Sequence, residues 1–160
     1  MDKYLQTMMS PQGKLMITAS DKGITSIVFA HQTEEALRAE HANELTQAAC
    51  AQLTAYFSKQ LTRFSLPLDA KGTHFQQTVW AALASIEYGN TKSYQDIANA
   101  IGNPKAVRAV GLANGKNPIA IVVPCHRVIG KNNRLIGYAG GVDKKQYLLK
   151  LEGAQGVLWD

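Results

Sequence analysis

Residues 93–111 read Ser-Tyr-Gln-Asp-Ile-Ala-Asn-Ala-Ile-Gly-Asn-Pro-Lys-Ala-Val-Arg-Ala-Val-Gly, and this stretch decides the fold of the C-terminal half. Ser93 and Asp96 have the spacing of a helix N-cap and its reciprocal partner. Ile97, Ala98 and Ile101 form the apolar face, and Gly102 supplies a C-terminal stop. Asn103-Pro104 then restarts a helix, with Asn as cap and Pro at the first helical position. Two short helices joined by a glycine-containing turn predict a helix-turn-helix. Lys105 and Arg108 share one face of the second helix, among the small residues Ala106, Ala109, Gly111, Ala113 and Gly115. Such a helix suits a narrow groove, with affinity drawn from phosphates. It suits equally an amphipathic helix packed on a neighbour.

Downstream, the apolar run Ile119-Ala120-Ile121-Val122-Val123 leads into Pro124-Cys125-His126-Arg127-Val128. The run reads as a buried strand with a thiol at its end and an imidazole beside it. Thiolates are the strongest side-chain nucleophiles, and a neighbouring histidine is a usual means of activating one. Taken alone, the pair favours the plainer reading, since most buried cysteines are small apolar core residues.

Upstream, Phe75, Val79, Trp80, Leu83 and Ile86 mark an amphipathic helix that stops near Tyr88-Gly89. Residues 3–30 alternate and turn twice, at Ser10-Pro11-Gln12-Gly13 and Ser20-Asp21-Lys22-Gly23, which predicts two or three antiparallel strands. A helical pattern begins at Glu34 and contains Leu45, Ala49, Leu53, Tyr56 and Phe57, with Cys50 as a core thiol. Leu66-Pro67-Leu68 reads as a short edge strand and Lys71-Gly72-Thr73 as a linker. The fold class is α/β: an N-terminal α/β domain with an antiparallel sheet over 1–71, then a mostly helical domain with the helix-turn-helix over 72–160.

Composition narrows the function. No basic stretch followed by a long apolar run opens the chain, and no window is apolar enough for a membrane span, so no secretory signal and no membrane partner are expected. Cys50 and Cys125, 75 positions apart, and the scattered His31, His41, His74 and His126 offer no metal-ligand spacing. No metal and no cofactor are expected, and the compartment is read as reducing and intracellular. The net charge of +5 is one-sided. Residues 1–80 hold seven Lys/Arg and seven Asp/Glu, whereas residues 81–160 hold ten against five. The half with the Cys-His pair therefore carries the whole excess, which suits a polyanionic partner.

Residues 74–152 resemble the active domain of O6-alkylguanine-DNA alkyltransferases, the methylated-DNA–protein-cysteine methyltransferases. The matching segments are Ser93-Tyr94-Gln95, the run from Asn103 to Gly111, Asn117-Pro118, the run from Pro124 to Gly130, Gly137-Tyr138-Ala139-Gly140-Gly141, and Leu148-Leu149-Lys150-Leu151-Glu152-Gly153. The resemblance implies direct-reversal repair of double-stranded DNA bearing alkylated bases. The alkyl group of O6-alkylguanine, and less well of O4-alkylthymine, passes irreversibly to Cys125, so each protein acts once. It implies His126 as a base acting through water, Glu152 as the group holding the imidazole, and Asn117 as the brace of the cysteine turn. Tyr94 would act on the target nucleotide, Arg108 would enter the base stack as the base flips out, and Lys105, Ala109 and Gly111 would meet the minor groove. Val128, Tyr138 and Ala139 would wall the pocket. The family often has serine at Ala139 and alanine at Val107.

The resemblance further implies a ribonuclease-H-like N-terminal domain, a monomer, and a constitutive bacterial protein of the cytoplasm and nucleoid. It implies no structural zinc, since residues 1–49 hold no cysteine. Two rival readings remain. A lesion sensor would bind without transferring, and a Cys-His hydrolase would turn over esters without need of Arg108.

Overall fold

The computed structural model describes residues 2–30, 40–130, 138, 141–154 and 157. Two compact units divide the chain, Met1–Lys71 and Gly72–Asp160.

The first unit is built on a three-stranded antiparallel sheet in the order β1 (Tyr4–Ser10), β2 (Gly13–Ala19), β3 (Ile24–Phe29). Alternation sends Leu5, Leu15, Ile17 and Ala19 into the core, and a register shift at Thr18/Ala19 sets Ile24 opposite Ala19 so that it is buried together with Ile27. Helix α1 (Glu44–Phe57) packs on the sheet through Ala49, Leu53 and Tyr56, which are fully buried. The helical pattern is broken at residues 40–43, and this helix starts at Glu44. Asn43 fixes the start by accepting from the Thr46 amide at 2.9 Å, and the Thr46 hydroxyl accepts from the Asn43 amide at 2.9 Å. The expected helical residues from Glu34 to 39 lie outside the described residues. Cys50 is only half-buried, because it stands beside the stripe that Ala49 and Leu53 form.

Leu66-Pro67-Leu68 makes no edge strand. It contributes a single parallel bridge, Leu68 to Ile24. The Ile24 amide donates to Pro67 O at 2.8 Å, and Asp69 returns a bond to Ile24 O at 2.7 Å. Gly23 permits this approach, since a Cβ there would lie 2.7 Å from the Pro67 oxygen.

In the second unit, α2 (His74–Ala84) buries Val79, Trp80 and Leu83 and opens with a Thr73–Gln76 capping box. It ends before Ile86, which is buried beyond the helix. Strand β4 (Lys92–Ser93) leads into α3 (Tyr94–Ala100), where the Ser93–Asp96 capping box forms as its spacing predicts. Gly102 follows at φ 75° and stops the helix. The second helix of the pair, α4 (Val107–Gly115), starts later than Asn103-Pro104 implied. Residues 103–106 are a turn closed by the Ala106 amide on Asn103 O at 2.9 Å, and Ala106 caps α4 with its backbone alone. Arg108 therefore lies in the first turn of α4, and Lys105, expected on the helix, precedes it. Strand β5 (Val128–Ile129) and helix α5 (Val142–Leu151) complete the unit. No helix among the described residues is long and apolar enough to cross a membrane.

Candidate active site

Ile119–Val123 is buried as its composition demands, yet it is not a strand. The segment folds into tight turns, with the Val122 amide on Ala120 O at 2.8 Å and the Val123 amide on Ile119 O at 3.0 Å. Ile121 sits at φ 72°, a left-handed conformation that costs a β-branched residue about 1–3 kcal/mol. Asn117 holds the turns together. Its amide nitrogen donates to Val123 O at 2.8 Å and Ile119 O at 3.4 Å, and its oxygen accepts from the Ile119 amide at 3.0 Å. One side chain thus does what a neighbouring strand would have done for these backbone groups.

The chain emerges at Pro124 into a single 3-10 turn, Cys125–Arg127. Cys125 and His126 point apart, because successive residues on a 3-10 helix are rotated by about 120°. The turn closes with the Val128 amide on Cys125 O, and Val128 then begins β5. This strand pairs in parallel with β4, Lys92 opposite Val128 and Ser93 opposite Ile129. The pairing ties the start of α3 to the end of the cysteine turn, so Tyr94 comes to the nucleophile. Burial, and then the nearby Cys125, push the Tyr94 phenol above its ordinary pKa. Gly111 faces the ring of Tyr94, where an added Cβ would stand 3.9 Å away; it is not on the outward face of α4.

His126 is fully buried, with Nε2 2.7 Å from Glu152 Oε2. Arg127 turns inward too, donating from Nε to Glu152 Oε1 at 2.8 Å and from a terminal nitrogen to Oε2 at 3.0 Å. Its other terminal nitrogen reaches Ile86 O at 2.6 Å, and its guanidinium lies over Tyr88, 5.8 Å from the ring centre. Burial alone would raise the Glu152 pKa, but bonds and charge from His126 and Arg127 outweigh it and hold the carboxyl at about 2. Glu152 is therefore an acceptor, which puts the imidazole proton on Nε2 and leaves Nδ1 as the basic nitrogen. Nδ1 has no hydrogen-bond partner among the described residues. Burial, together with the charges of Arg127 and Lys145, keeps His126 below its ordinary pKa despite Glu152.

Burial raises the pKa of the Cys125 thiol, while the Asn117 amide and the Lys145 charge oppose that rise. Val128 is fully buried beside the turn. Tyr138 presents a buried hydroxyl with no partner among the described residues, and burial and the nearby Cys125 push its pKa well up. Ala139 lies outside the described residues.

The structure thus brings the buried Cys125, His126, Glu152 and Val128 together with the half-buried Asn117, Tyr94 and Tyr138 around the cysteine turn. It places Arg108, Ala109 and Lys105 elsewhere, exposed on α4 and the turn before it. Leu112, one helical turn beyond Arg108, is 72% exposed, and Gly115 and Lys116 continue the same face. Ala113 faces the core instead, its carbonyl accepting from the Trp80 indole at 2.9 Å.

Two buried charges escaped the sequence reading. Arg127 stood in the quoted motif without a role. Lys145 lies on the stripe of α5 that also holds Leu148, Leu149 and Glu152, a spacing of three, four and seven residues. A lysine on an apolar stripe was the available signal.

Fold and site together define a helix-turn-helix protein with a free thiol buried beside an imidazole and a carboxylate. The comparisons narrow that class. The family model for the DNA-binding domain of 6-O-methylguanine DNA methyltransferase matches residues 74–154, and the model for its ribonuclease-like domain matches residues 3–70. A methylated-DNA–protein-cysteine methyltransferase of Mycobacterium tuberculosis is 48% identical over 151 residues, covering 93% of this chain and 92% of the relative. One from Methanosarcina acetivorans is 46% identical, over 94% and 99%. The crystal structure of Mycobacterium tuberculosis OGT in complex with DNA superposes with a TM-score of 0.86 at 45% identity, over 96% and 97%. The chain belongs to the 6-O-methylguanine DNA methyltransferase family.

Proposed function

We propose that this protein repairs alkylated DNA by direct reversal, taking the alkyl group of O6-alkylguanine, and less well of O4-alkylthymine, onto Cys125. The observation that carries the reading is the buried array of Cys125 and His126, on the turn that β5 ties to the helix-turn-helix, with Glu152 at the end of α5.

The thiol proton passes through a water to His126 Nδ1, and Glu152 steadies the imidazolium that forms. The sulfur attacks the alkyl carbon, an S–C bond forms, and the C–O6 bond breaks with its electron pair leaving on the base. Tyr94 donates to the departing base as it takes up charge, and the base recovers a proton as guanine. The thioether offers water no carbonyl to attack, so the protein is consumed one for one. Asn117 braces the turn, and Val128, Tyr138 and Ala139 wall the pocket.

The target atom is stacked inside the duplex, so the nucleotide has to flip out. Arg108 fills the gap, and Lys105 and Ala109 belong to the minor-groove contact. Residues 72–160 carry both transfer and docking as a monomer in the bacterial cytoplasm, and residues 1–71 form the ribonuclease-like companion. The test is mass spectrometry after incubation with a duplex holding one O6-methylguanine. One added methyl on the Cys125 peptide is expected. Unmodified protein at excess lesion overturns the reading.

A further inference from the structure

Lys145 is a cation in an unusual place. It is 0% exposed, and desolvation of an ammonium is costly. It stands fourth in α5, near the positive end of the helix dipole, where a cation is unfavourable. The neighbouring Asp143 and Lys150 are exposed, so the helix has solvent positions where a lysine would be free of this penalty. The side chain is also firmly placed. Its Nζ donates to Val128 O at 2.5 Å, and Val128 is the residue whose amide closes the turn on Cys125 O. Lys145 therefore grips the nucleophile's turn from its far end, as Asn117 grips the run before it.

We propose that Lys145 is a positioning residue for alkyl transfer, an ammonium that clamps the cysteine turn and supplies the positive charge that favours the Cys125 thiolate. The assignment rests on Cys125 as the acceptor, and it deepens that reading with a residue outside the Cys-His-Glu array. The electrostatics run both ways. Burial lowers the Lys145 pKa to about 8 while Cys125 raises it, and Lys145 in turn lowers that of Cys125. The same charge lowers the His126 pKa, which keeps Nδ1 free to take the thiol proton. Among the described residues, the other ionisable groups around this turn are Arg127, Glu152, Tyr88, Tyr94 and Tyr138. Glu152 is engaged by His126 and Arg127, and the tyrosines stay neutral. Among these groups Lys145 and Arg127 are the fixed cations, and Lys145 is the one whose charge lowers the Cys125 pKa.

The test is titration of one thiol without DNA. In a Cys50→Ser background, thiolate ultraviolet absorbance and the iodoacetamide rate are followed against pH, with Lys145→Met, Lys145→Gln and Lys145→Arg compared. Gln keeps a donor for the Val128 carbonyl without the charge. We expect Met and Gln to raise the thiol pKa by about one unit, cutting the thiolate share at neutral pH about tenfold, and Arg to restore it. A folded Met or Gln variant with an unshifted thiol titration overturns the proposal. Should neither fold, the Cys50→Ser chain still decides. The isotope-labelled Lys145 signal, read by NMR across the thiol titration, must respond at the pH where Cys125 ionises; a lysine signal blind to that ionisation overturns the proposal. A thiol shift in a protein that takes no methyl from DNA would sink the proposed function while leaving the Lys145 link standing.

Discussion

Arg127 clasps Glu152 with two nitrogens, at 2.8 Å and 3.0 Å, while its sequence neighbour His126 takes the same carboxylate at 2.7 Å. Glu152 thus joins two donors that leave the cysteine turn in succession, and the turn cannot shift without breaking a buried ion pair. That arrangement makes the carboxylate a stability element as well as a support for the imidazole.

Its pH signature follows from linkage. The Glu152 pKa falls from an ordinary 4.5 to about 2 on folding. A depressed carboxyl contributes stability above its unfolded pKa and loses it as pH falls through the folded one. The contribution is about 3 kcal/mol, fully present above about pH 5 and lost between about pH 4.5 and 2. Urea midpoints taken from pH 7 down to 3 should fall in the unmutated chain. Glu152→Gln should start lower and decline less steeply. Parallel curves for the two would contradict the assignment.

Gly102 offers a cleaner test of backbone conformation. It lies at φ 75° in the turn between α3 and α4, and a Cβ there would meet nothing within 4 Å. Gly102→Ala should therefore destabilise by about 1–2 kcal/mol through conformation alone. The same change at Gly115, where a Cβ also meets nothing but φ is not positive, should be neutral or stabilising in the same thermal or urea melts.

The parts of this fold that a sequence displays are those governed by local chemistry. Ser93 and Asp96 satisfy each other's backbone across one turn, and Gly102 stops the helix whatever lies around it, so both were legible. Asn103-Pro104 carries an equally good local signal, yet the chain keeps a turn there and begins α4 at Val107. The Ile119–Val123 run misled for a different reason. Burial is visible in composition, but the partner of the backbone is not, and here that partner is the Asn117 side chain. Strands of two residues such as β4 and β5 carry no periodicity, so the link from Tyr94 to Cys125 was invisible without coordinates. Cys125, His126 and Glu152 were placed by resemblance, while Arg127 and Lys145, equally buried, passed as surface charge.

His126 should separate chemistry from stability. With Nε2 committed to Glu152, Nδ1 is the nitrogen left for the proposed base, and His126→Gln should lower methyl transfer by about 10²–10⁴. The acid limb of the rate profile should lie below pH 6.5, the ordinary imidazole value, because the His126 pKa is lowered by burial. Stopped reactions with a radiolabelled methylated duplex across pH 5–8 measure both. A limb centred above that value would show an imidazolium stabilised by Glu152 in the resting protein.

The outward face of α4 gives the last prediction, because it separates docking from reaction. Arg108, Leu112 and Lys116 lie along it, and none belongs to the buried array. Arg108→Ala should slow repair of a duplex lesion about 10- to 100-fold, the cost of a flipped base whose place in the stack is unfilled, while free O6-methylguanine reacts nearly unchanged. Leu112→Glu puts an anion on the same face and should weaken duplex binding. With the side chain 72% exposed, it should alter stability by no more than about 0.5 kcal/mol. Lys105→Ala should weaken binding evenly across sequences and reduce the salt slope by about one. Duplex binding by fluorescence anisotropy over a salt series, paired with free-base methylation, reads all three. Equal losses on duplex and free base would place this face in the chemistry instead of the groove. Full duplex repair by Arg108→Ala and Leu112→Glu together would remove α4 from DNA docking altogether.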